Sequence, residues 1–128
     1  MHIDRLDHLV LTVGDIERSV AFYRDVLGMQ PVTFGGGRTA LTFGQSKINL
    51  HEVGKEFEPK ARRPVAGSAD ICLITSDRLE AVRAELDAHG VAVEEGPVER
   101  TGAVGRLLSV YVRDPDGNLV EISNDLGR

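Results

Sequence analysis

Four side chains able to bind a metal ion or move a proton lie on predicted strands: His8, His51, Asp70 and Glu121. Successive side chains of a strand point to opposite faces. In the run LVEI that contains Glu121, Val120 and Ile122 point to one face and suit a cover by a helix. The Glu121 carboxylate then lies on the other face. The same alternation places His8, His51 and Asp70 on the strand faces that point away from the helices.

Two imidazoles with one or two carboxylates form the ligand set of catalytic transition-metal sites. The pattern therefore predicts a divalent ion held by His8, His51 and Glu121. Such a cation would also offset the cost of placing a carboxylate in a cleft. Asp70 has three roles open to it, as a fourth ligand, a proton acceptor or a partner that orients an imidazole. Glu52 follows His51 directly, so it has the opposite parity and is excluded.

Each of these residues also has a structural interpretation. His8 could be a hydrogen-bonded structural histidine, and His51 could be a solvated strand end. Glu121 could pair with Arg100 or Arg113. The coincidence of three such groups on one predicted face favours the metal site.

Further polar side chains share the same parity and could orient a polar substrate, although ordinary sheet residues look alike. They are Arg38, Asn49, Ser109 and Tyr111. Cys72 also points to this side, where a small buried thiol is expected.

An internal repeat relates the two halves of the chain. Residues 6–15 align with residues 68–77, and Gly28 then aligns with Gly90. Each copy reads as an apolar strand, an Asp, a helix and a Gly, followed by further strands. The repeat predicts an α+β fold in which two paired βαβββ modules form a cupped mixed sheet around the metal site, with the helices on the outer face.

Local signals agree with this division. Asp15 and Asp77 are predicted to cap the two helices, which Gly28 and Gly90 then end. Apolar residues follow each Asp at helical spacing: Ile16, Val20, Tyr23 and Leu27 in the first helix, and Leu79, Val82 and Leu86 in the second. Strands are predicted at PVTF, RTALTF and KINLHEV in the first half, and at VAVEE, RLLSVYVR and NLVEIS in the second.

The chain is expected to form a single domain of two modules. Module one covers about residues 1–54, a charged connector with two prolines covers 55–67, and module two covers about 68–128. The connector could also cover part of a site.

A second irregular loop is predicted at residues 94–105, where its counterpart in module one is shorter. The extra length would shift the last strands, so that Glu121 corresponds to His51 as Asp70 corresponds to His8.

Composition excludes several classes of function. The formal charge is -5 with basic residues scattered among the acids, which argues against nucleic-acid and membrane partners. No apolar run reaches the length of a membrane span, and the first residues lack the pattern of a secretory signal. One cysteine, Cys72, suits a reducing compartment, so a cytoplasmic protein is expected.

Two segments of the sequence, LDHLVLTVGDIERSVAFYRDVLGM and RDPDGNLVEIS, resemble the vicinal oxygen chelate superfamily of glyoxalases, bleomycin resistance proteins and extradiol dioxygenases. The chain is most similar to small bacterial glyoxalase-like proteins, and the resemblance covers nearly all of it. It implies the paired βαβββ fold, a divalent ion (Zn, Ni, Mn or Fe) in the cup, and substrates that chelate the ion through neighbouring oxygens. It also assigns the ligand positions to His8, His51 and Glu121.

The resemblance includes a departure. Glyoxalase I relatives have His or Gln, Glu, His and Glu at the four ligand positions, where this chain has His8, His51, Asp70 and Glu121. Dioxygenases and fosfomycin-resistance enzymes place their second His where this chain has Asp70. The metal and the reaction therefore do not follow from the resemblance.

Three functions agree with these observations. In the first, a lyase or isomerase, a divalent ion binds both oxygens of an α-hydroxycarbonyl substrate and stabilises an enediolate-like charge, while Glu121 or Asp70 moves the proton. The second is an Fe(II)-dependent extradiol-type dioxygenase, because two histidines and one carboxylate leave room for O₂. The third is a non-catalytic antibiotic-binding or resistance protein. A homodimer is expected, with the site inside one chain or shared by two, and the substrate and any need for glutathione stay open.

Overall fold

The structure is a computed structural model that describes residues 1–127. The chain divides into two compact units, Met1–Ser68 and a second that begins at Ala69. The predicted connector lies in the first unit. The described helices include none that is long and apolar enough to span a membrane.

Unit one contains a four-stranded mixed sheet and one helical segment. Its elements are β1 (His8–Val13), α1 (Ile16–Ala21) with a π-helical turn (Phe22–Val26), β2 (Gln30–Phe34), β3 (Arg38–Phe43) and β4 (Ser46–Glu52). The sheet order is β1-β4-β3-β2, with β1 parallel to β4 and the other neighbours antiparallel.

The helical segment begins and ends where the sequence predicts. The Asp15 carboxylate accepts a hydrogen bond from the Arg18 N–H at 3.1 Å, and Gly28 has the left-handed φ of 71° that ends the segment. The regular helical spacing is interrupted, because the α-helix ends at Ala21 and residues Phe22–Val26 form a wider π-helical turn. This wider turn carries the fully buried Tyr23.

Unit two repeats the plan. Its elements are β5 (Asp70–Ile74), α2 (Leu79–Ala88), β6 (Glu95–Thr101), β7 (Arg106–Arg113) and β8 (Leu119–Gly127). The sheet order is β5-β8-β7-β6, with β5 parallel to β8. The α+β class and the two βαβββ modules are therefore confirmed.

The predicted cap of α2 is wrong. The helix has Arg78 at its N-cap position, with no hydrogen bond from that side chain. Asp77 lies one residue earlier, and its carbonyl oxygen accepts a hydrogen bond from the Asn124 amide at 2.7 Å. Asp77 thus ties the start of the helix to β8 through its backbone.

The predictions for residues 91–101 are also wrong, whereas residues 102–105 are irregular as predicted. The strand lies at Glu95–Thr101, inside the range predicted as an irregular loop, and it forms the edge of its sheet. Gly96 and Pro97 fall in a register irregularity between Glu95 and Val98. Proline is tolerated at edges and bulges, so these two residues do not prevent the strand.

Burial confirms the alternation predicted for the central strands. The apolar side chains on the helix-covered faces are buried: Leu11 and Val13 on β1, Ile48 and Leu50 on β4, Val110 and Val112 on β7, and Val120 and Ile122 on β8. On the opposite faces the polar residues Thr12, His51, Ser109 and Ser123 are buried as well. On β4, Glu52 points to this helix side, where its carboxylate accepts a weak hydrogen bond from the N–H of Ile16 at 3.4 Å. The opposite faces carry the candidate site residues.

Gly96 gives a prediction about stability. Its φ is +112°, and a Cβ would collide with the backbone carbonyl oxygen of Ser109. Gly96→Ala should lower the free energy of unfolding by roughly 3 kcal/mol, because backbone strain and overpacking add. Gly117→Ala is the matched control, since Gly117 has φ +87° and open space around it. It should cost only about 1 kcal/mol. Urea unfolding compares the two, and equal losses would contradict the steric explanation.

Candidate metal and substrate site

The site face of unit one is formed by β1 and β4. The parallel register pairs His8 with Lys47, Val10 with Asn49 and Thr12 with His51. His51 therefore lies four strand positions beyond His8, which is about 13 Å at roughly 3.3 Å per residue. A metal ion lies about 2.1 Å from each imidazole nitrogen that binds it, so two histidines on one ion must lie close together. Unit one does not bring His8 and His51 together in this way.

The site face of unit two is formed by β5 and β8. There Asp70 lies opposite Leu119, and Glu121 lies opposite Cys72, two residues after Asp70. In unit one, Asn49 lies opposite Val10, two residues after His8. Asn49 is therefore the counterpart of Glu121, and the predicted correspondence with His51 is wrong by two residues. The prediction counted residues through turns of unequal length, whereas hydrogen bonding between the strands fixes the register.

Residues 1–127 contain no group of three His, Cys, Asp or Glu side chains placed to hold a metal ion. Of the residues predicted to form the site, unit one positions His8 and His51 and unit two positions Asp70 and Glu121. The ligand set of His8, His51 and Glu121 thus stays a prediction from the sequence.

The hydrogen bond between His8 and Asp7 leaves one ring nitrogen of His8 available. Its side chain is 42% exposed, and its Nδ1 is 2.8 Å from the Asp7 carboxylate. A carboxylate accepts, so Nδ1–H donates, and Nε2 is left as the nitrogen with a lone pair. This hydrogen bond lowers the pKa of Asp7. Histidines that bind metals usually donate their other ring N–H in this way.

Glu121 is held by two serines of the same sheet. Ser109 Oγ donates to Glu121 Oε2 at 2.6 Å, and Ser123 Oγ lies 3.4 Å from the same oxygen. Ser109 was predicted to bind substrate, but it is fully buried and its hydroxyl donates to the Glu121 carboxylate. Ser123 was missed, although its alternation on β8 places it on the face of Glu121.

The hydroxyls beside Glu121 form an ordered chain. Ser109 and Ser123 are 2.6 Å apart, and the Cys72 thiol lies 3.4 Å from Ser123 Oγ. Each hydroxyl has one proton. With Ser109 donating to Glu121, Ser123 donates to Ser109 and the thiol donates to Ser123. Burial raises the pKa of Cys72, which keeps the thiol protonated for this role at neutral pH. Cys72 as a whole is exposed, so the prediction of a buried residue at this position is wrong.

The arginines considered as partners of Glu121 pair elsewhere. Arg100 donates from Nε to the Tyr111 hydroxyl at 2.9 Å and from Nη2 to Glu95 at 3.2 Å. Arg113 forms two hydrogen bonds with Glu94, at 3.1 and 2.9 Å.

Two of the predicted substrate-binding residues have partners in the protein. Tyr111 accepts the hydrogen bond from Arg100, and burial raises the pKa of its phenol. The Arg38 guanidinium stacks on the Phe57 ring, 4.6 Å from its centroid. Phe57 belongs to the connector, which could cover part of a site according to the sequence, although Phe57 itself was not singled out.

Asn49 has a buried oxygen that lacks a hydrogen bond. Within residues 1–127, its Oδ1 is shielded from solvent and has no hydrogen-bond partner. A buried acceptor left unsatisfied costs about 1–3 kcal/mol. A cation would satisfy it, and Asn49 lies at the position that corresponds to Glu121. Comparing each last strand with the first strand of its own module could have identified it.

Comparisons with known proteins agree with the fold and the strand motifs. The family model of the Glyoxalase/Bleomycin resistance protein/Dioxygenase superfamily matches residues 5–122. Virulence protein STM3117 of Salmonella typhimurium is 58% identical over 96% of this chain and 85% of its own length. Its crystal structure has a TM-score of 0.97, with 98% of this chain and 100% of that chain covered at 57% identity.

Two further relatives are similar along most of this chain. The glyoxalase domain-containing protein RDO1 of Mycosarcoma maydis is 53% identical over 97% of this chain and 70% of its own length. A lactoylglutathione lyase of Salmonella typhimurium is 32% identical, with 97% and 96% covered. The predicted resemblance is thus confirmed, and the chain belongs to the glyoxalase, bleomycin resistance protein and dioxygenase superfamily.

Proposed function

We propose that the chain is a divalent-metal-dependent lyase or isomerase of the glyoxalase-like type, acting on a small substrate with two neighbouring oxygens. The observation that carries the proposal is the environment of Glu121. Its carboxylate lies on the site face and receives its hydrogen bond from the Ser109 hydroxyl rather than from an arginine or lysine. A cation is the partner that such a carboxylate needs.

The strand registers favour a particular ligand set. His8 offers Nε2, because Nδ1 is bonded to Asp7. Asp70 occupies in unit two the place that His8 has in unit one, and Asn49 corresponds to Glu121. Within each unit the register places two candidate ligands on one face, His8 with the unsatisfied Asn49 Oδ1 in unit one and Asp70 with Glu121 in unit two, and we propose these four side chains as the metal-binding residues. The separation of His51 from His8 disfavours it as a ligand.

The donor set also indicates the type of ion and reaction. One imidazole with carboxylate and amide oxygens is a harder donor set than a site built on thiolates. Such a set suits Mn²⁺ or Fe²⁺. A divalent ion held by these residues would supply a Lewis acid for the two substrate oxygens and for the negative charge that develops on them. A dioxygenase of the two-histidine type would need a second imidazole, so the lyase or isomerase is preferred.

Glu121 is the group we assign to move the proton. Ser109 and Ser123 both approach Oε2, so Oε1 is the oxygen that would bind the ion and, once released from it, accept the proton from the substrate carbon. The serine chain keeps the carboxylate in one orientation while it does so. Asp70 is exposed on the same face, which makes it the alternative acceptor.

A homodimer agrees with the exposed apolar side chain on an edge strand, and a location in the cytoplasm agrees with the cysteine content. Ile74 on β5 is 59% exposed, and β5 is an edge of its sheet. A second copy would cover such apolar side chains. The isolated Cys72 is suited to a reducing compartment.

Metal analysis of the purified full chain tests the function. After anaerobic reconstitution with Mn²⁺, Fe²⁺, Ni²⁺ or Zn²⁺, elemental analysis should find about one ion per chain. The reconstituted protein should consume the hemithioacetal of methylglyoxal and glutathione or another α-hydroxycarbonyl compound. Oxygen uptake with catechol would instead support the dioxygenase. A chain that retains no ion would support the non-catalytic binding protein.

Substitution of the ligands separates the two ligand sets. Glu121→Gln and Asp70→Asn should each weaken Mn²⁺ binding at least about 100-fold, since a ligand matters more than the residues that support it. His51→Gln is the matched imidazole-to-amide change and should keep the affinity of the parent. Isothermal titration measures all three. If His51→Gln loses as much affinity as Glu121→Gln, the set of His8, His51 and Glu121 is the right one.

The serine that supports Glu121 gives a further prediction. Ser109→Ala should weaken Mn²⁺ binding by about 10-fold or more, because the carboxylate loses its shortest hydrogen bond. Ser19→Ala is the control, since Ser19 is also fully buried but its hydroxyl has no hydrogen-bond partner within the described chain. Metal titration should show no effect of Ser19→Ala. Equal affinities for both variants would remove Ser109 from the site.

A further inference from the structure

The site face of unit one continues from Asn49 into a cavity of about 300 Å³. Its floor is formed by the sheet residues Val10, Thr12 and His51, and its roof by connector residues that include Pro59, Lys60 and Pro64. This volume is at the lower end of the range for small-molecule sites. The cavity therefore suits a compact group.

The roof is fixed to the sheet by stacked rings. The rings of Phe57 and His51 meet edge to face with their centroids 5.8 Å apart, and Arg38 stacks on Phe57. Edge-to-face pairs and cation–π contacts both stabilise such an arrangement. The connector is thus held over the strands as the wall of a cavity, and Arg38 supports that wall.

The polar groups of the cavity carry donors and positive charge. Thr12, His51 and Lys60 are the polar residues among the described lining, and no Asp or Glu is among them. Lys60 Nζ is 2.8 Å from Glu58, whose side chain is largely exposed. Exposed ion pairs of this kind contribute little, so a ligand anion can replace Glu58.

We propose that this cavity binds a compact apolar group that carries one carboxylate, with His51, Thr12 and Lys60 as its binding residues. His51 is then a residue that contacts the ligand, which agrees with its 8% exposure and its place under the connector.

The position of the cavity relates it to the proposed reaction. Thr12 and His51 lie two strand positions from Val10 and Asn49, which is about 7 Å along the strands. A substrate with its neighbouring oxygens near Asn49 would place its other end in the cavity. Resting on the proposed function, this distance indicates a small hydroxy or oxo acid whose carboxylate is separated from the reacting oxygens by a short apolar segment.

Binding of simple probes tests the cavity without reference to activity. Benzoate is titrated into the isotope-labelled full chain in the absence of added metal, with benzamide as the uncharged probe of the same shape. Amide signals of Val10, Thr12 and Ala61 should shift with benzoate. Lys60→Met should weaken benzoate binding about 10-fold, the loss expected for one charge-assisted hydrogen bond, and leave benzamide unchanged.

The control variant is Lys55→Met. Lys55 lies in the same segment, is largely exposed, pairs with Glu52 at 3.2 Å and does not line the cavity. It should bind benzoate like the parent, and thermal unfolding confirms that both variants are folded. The proposal is overturned if benzoate shifts none of these signals, or if Lys60→Met and Lys55→Met bind it equally well.

These outcomes are independent of the metal experiment. A chain that binds benzoate in the cavity but retains no ion keeps the cavity and loses the enzymatic function. A chain that binds an ion and ignores benzoate keeps the function and loses the cavity as its substrate site.

Discussion

Parallel pairing of the first and last strands in each module decides which side chains can act together. Hydrogen bonds between β1 and β4, and between β5 and β8, fix both the face and the level of every residue on these strands. Alternation selects the face, and register selects the level. His8 and His51 share a face but lie at different levels, so a shared parity is insufficient for a shared ion.

Sequence patterns predicted the elements and the faces of the strands but not their alignment. The burial of Ile48 and Val120 follows from alternation, and the Asp15 cap follows from local hydrogen bonding, so both could be read from a few neighbouring residues. The correspondence of Glu121 with Asn49 depends on pairing between distant strands. Turn lengths change that count without changing any local pattern. The strand through Gly96 was missed because its position at a sheet edge, which makes the glycine and the proline beside it acceptable, is a tertiary property.

Residue type was a weaker guide to role than position. An imidazole suggests a metal ligand, yet His51 lies beneath the connector in contact with Phe57. A serine suggests a substrate contact, yet Ser109 is fully buried and its hydroxyl donates to the Glu121 carboxylate. The connector itself had no apolar period, and its role depends on contacts with strands far away in the sequence. The charge and hydrogen-bonding capacity of each side chain could be predicted from its type. The residues that each side chain contacts in the fold could not.

The irregular edge strand β6 also affects how the protein behaves at high concentration. An exposed strand edge offers unpaired N–H and C=O groups to other chains, which is a common start of aggregation. Pro97 has no N–H to offer, and the register irregularity beside it disturbs the flat geometry that an added strand would need. The Gly-Pro pair therefore protects the outer edge of this sheet from adhesion between molecules.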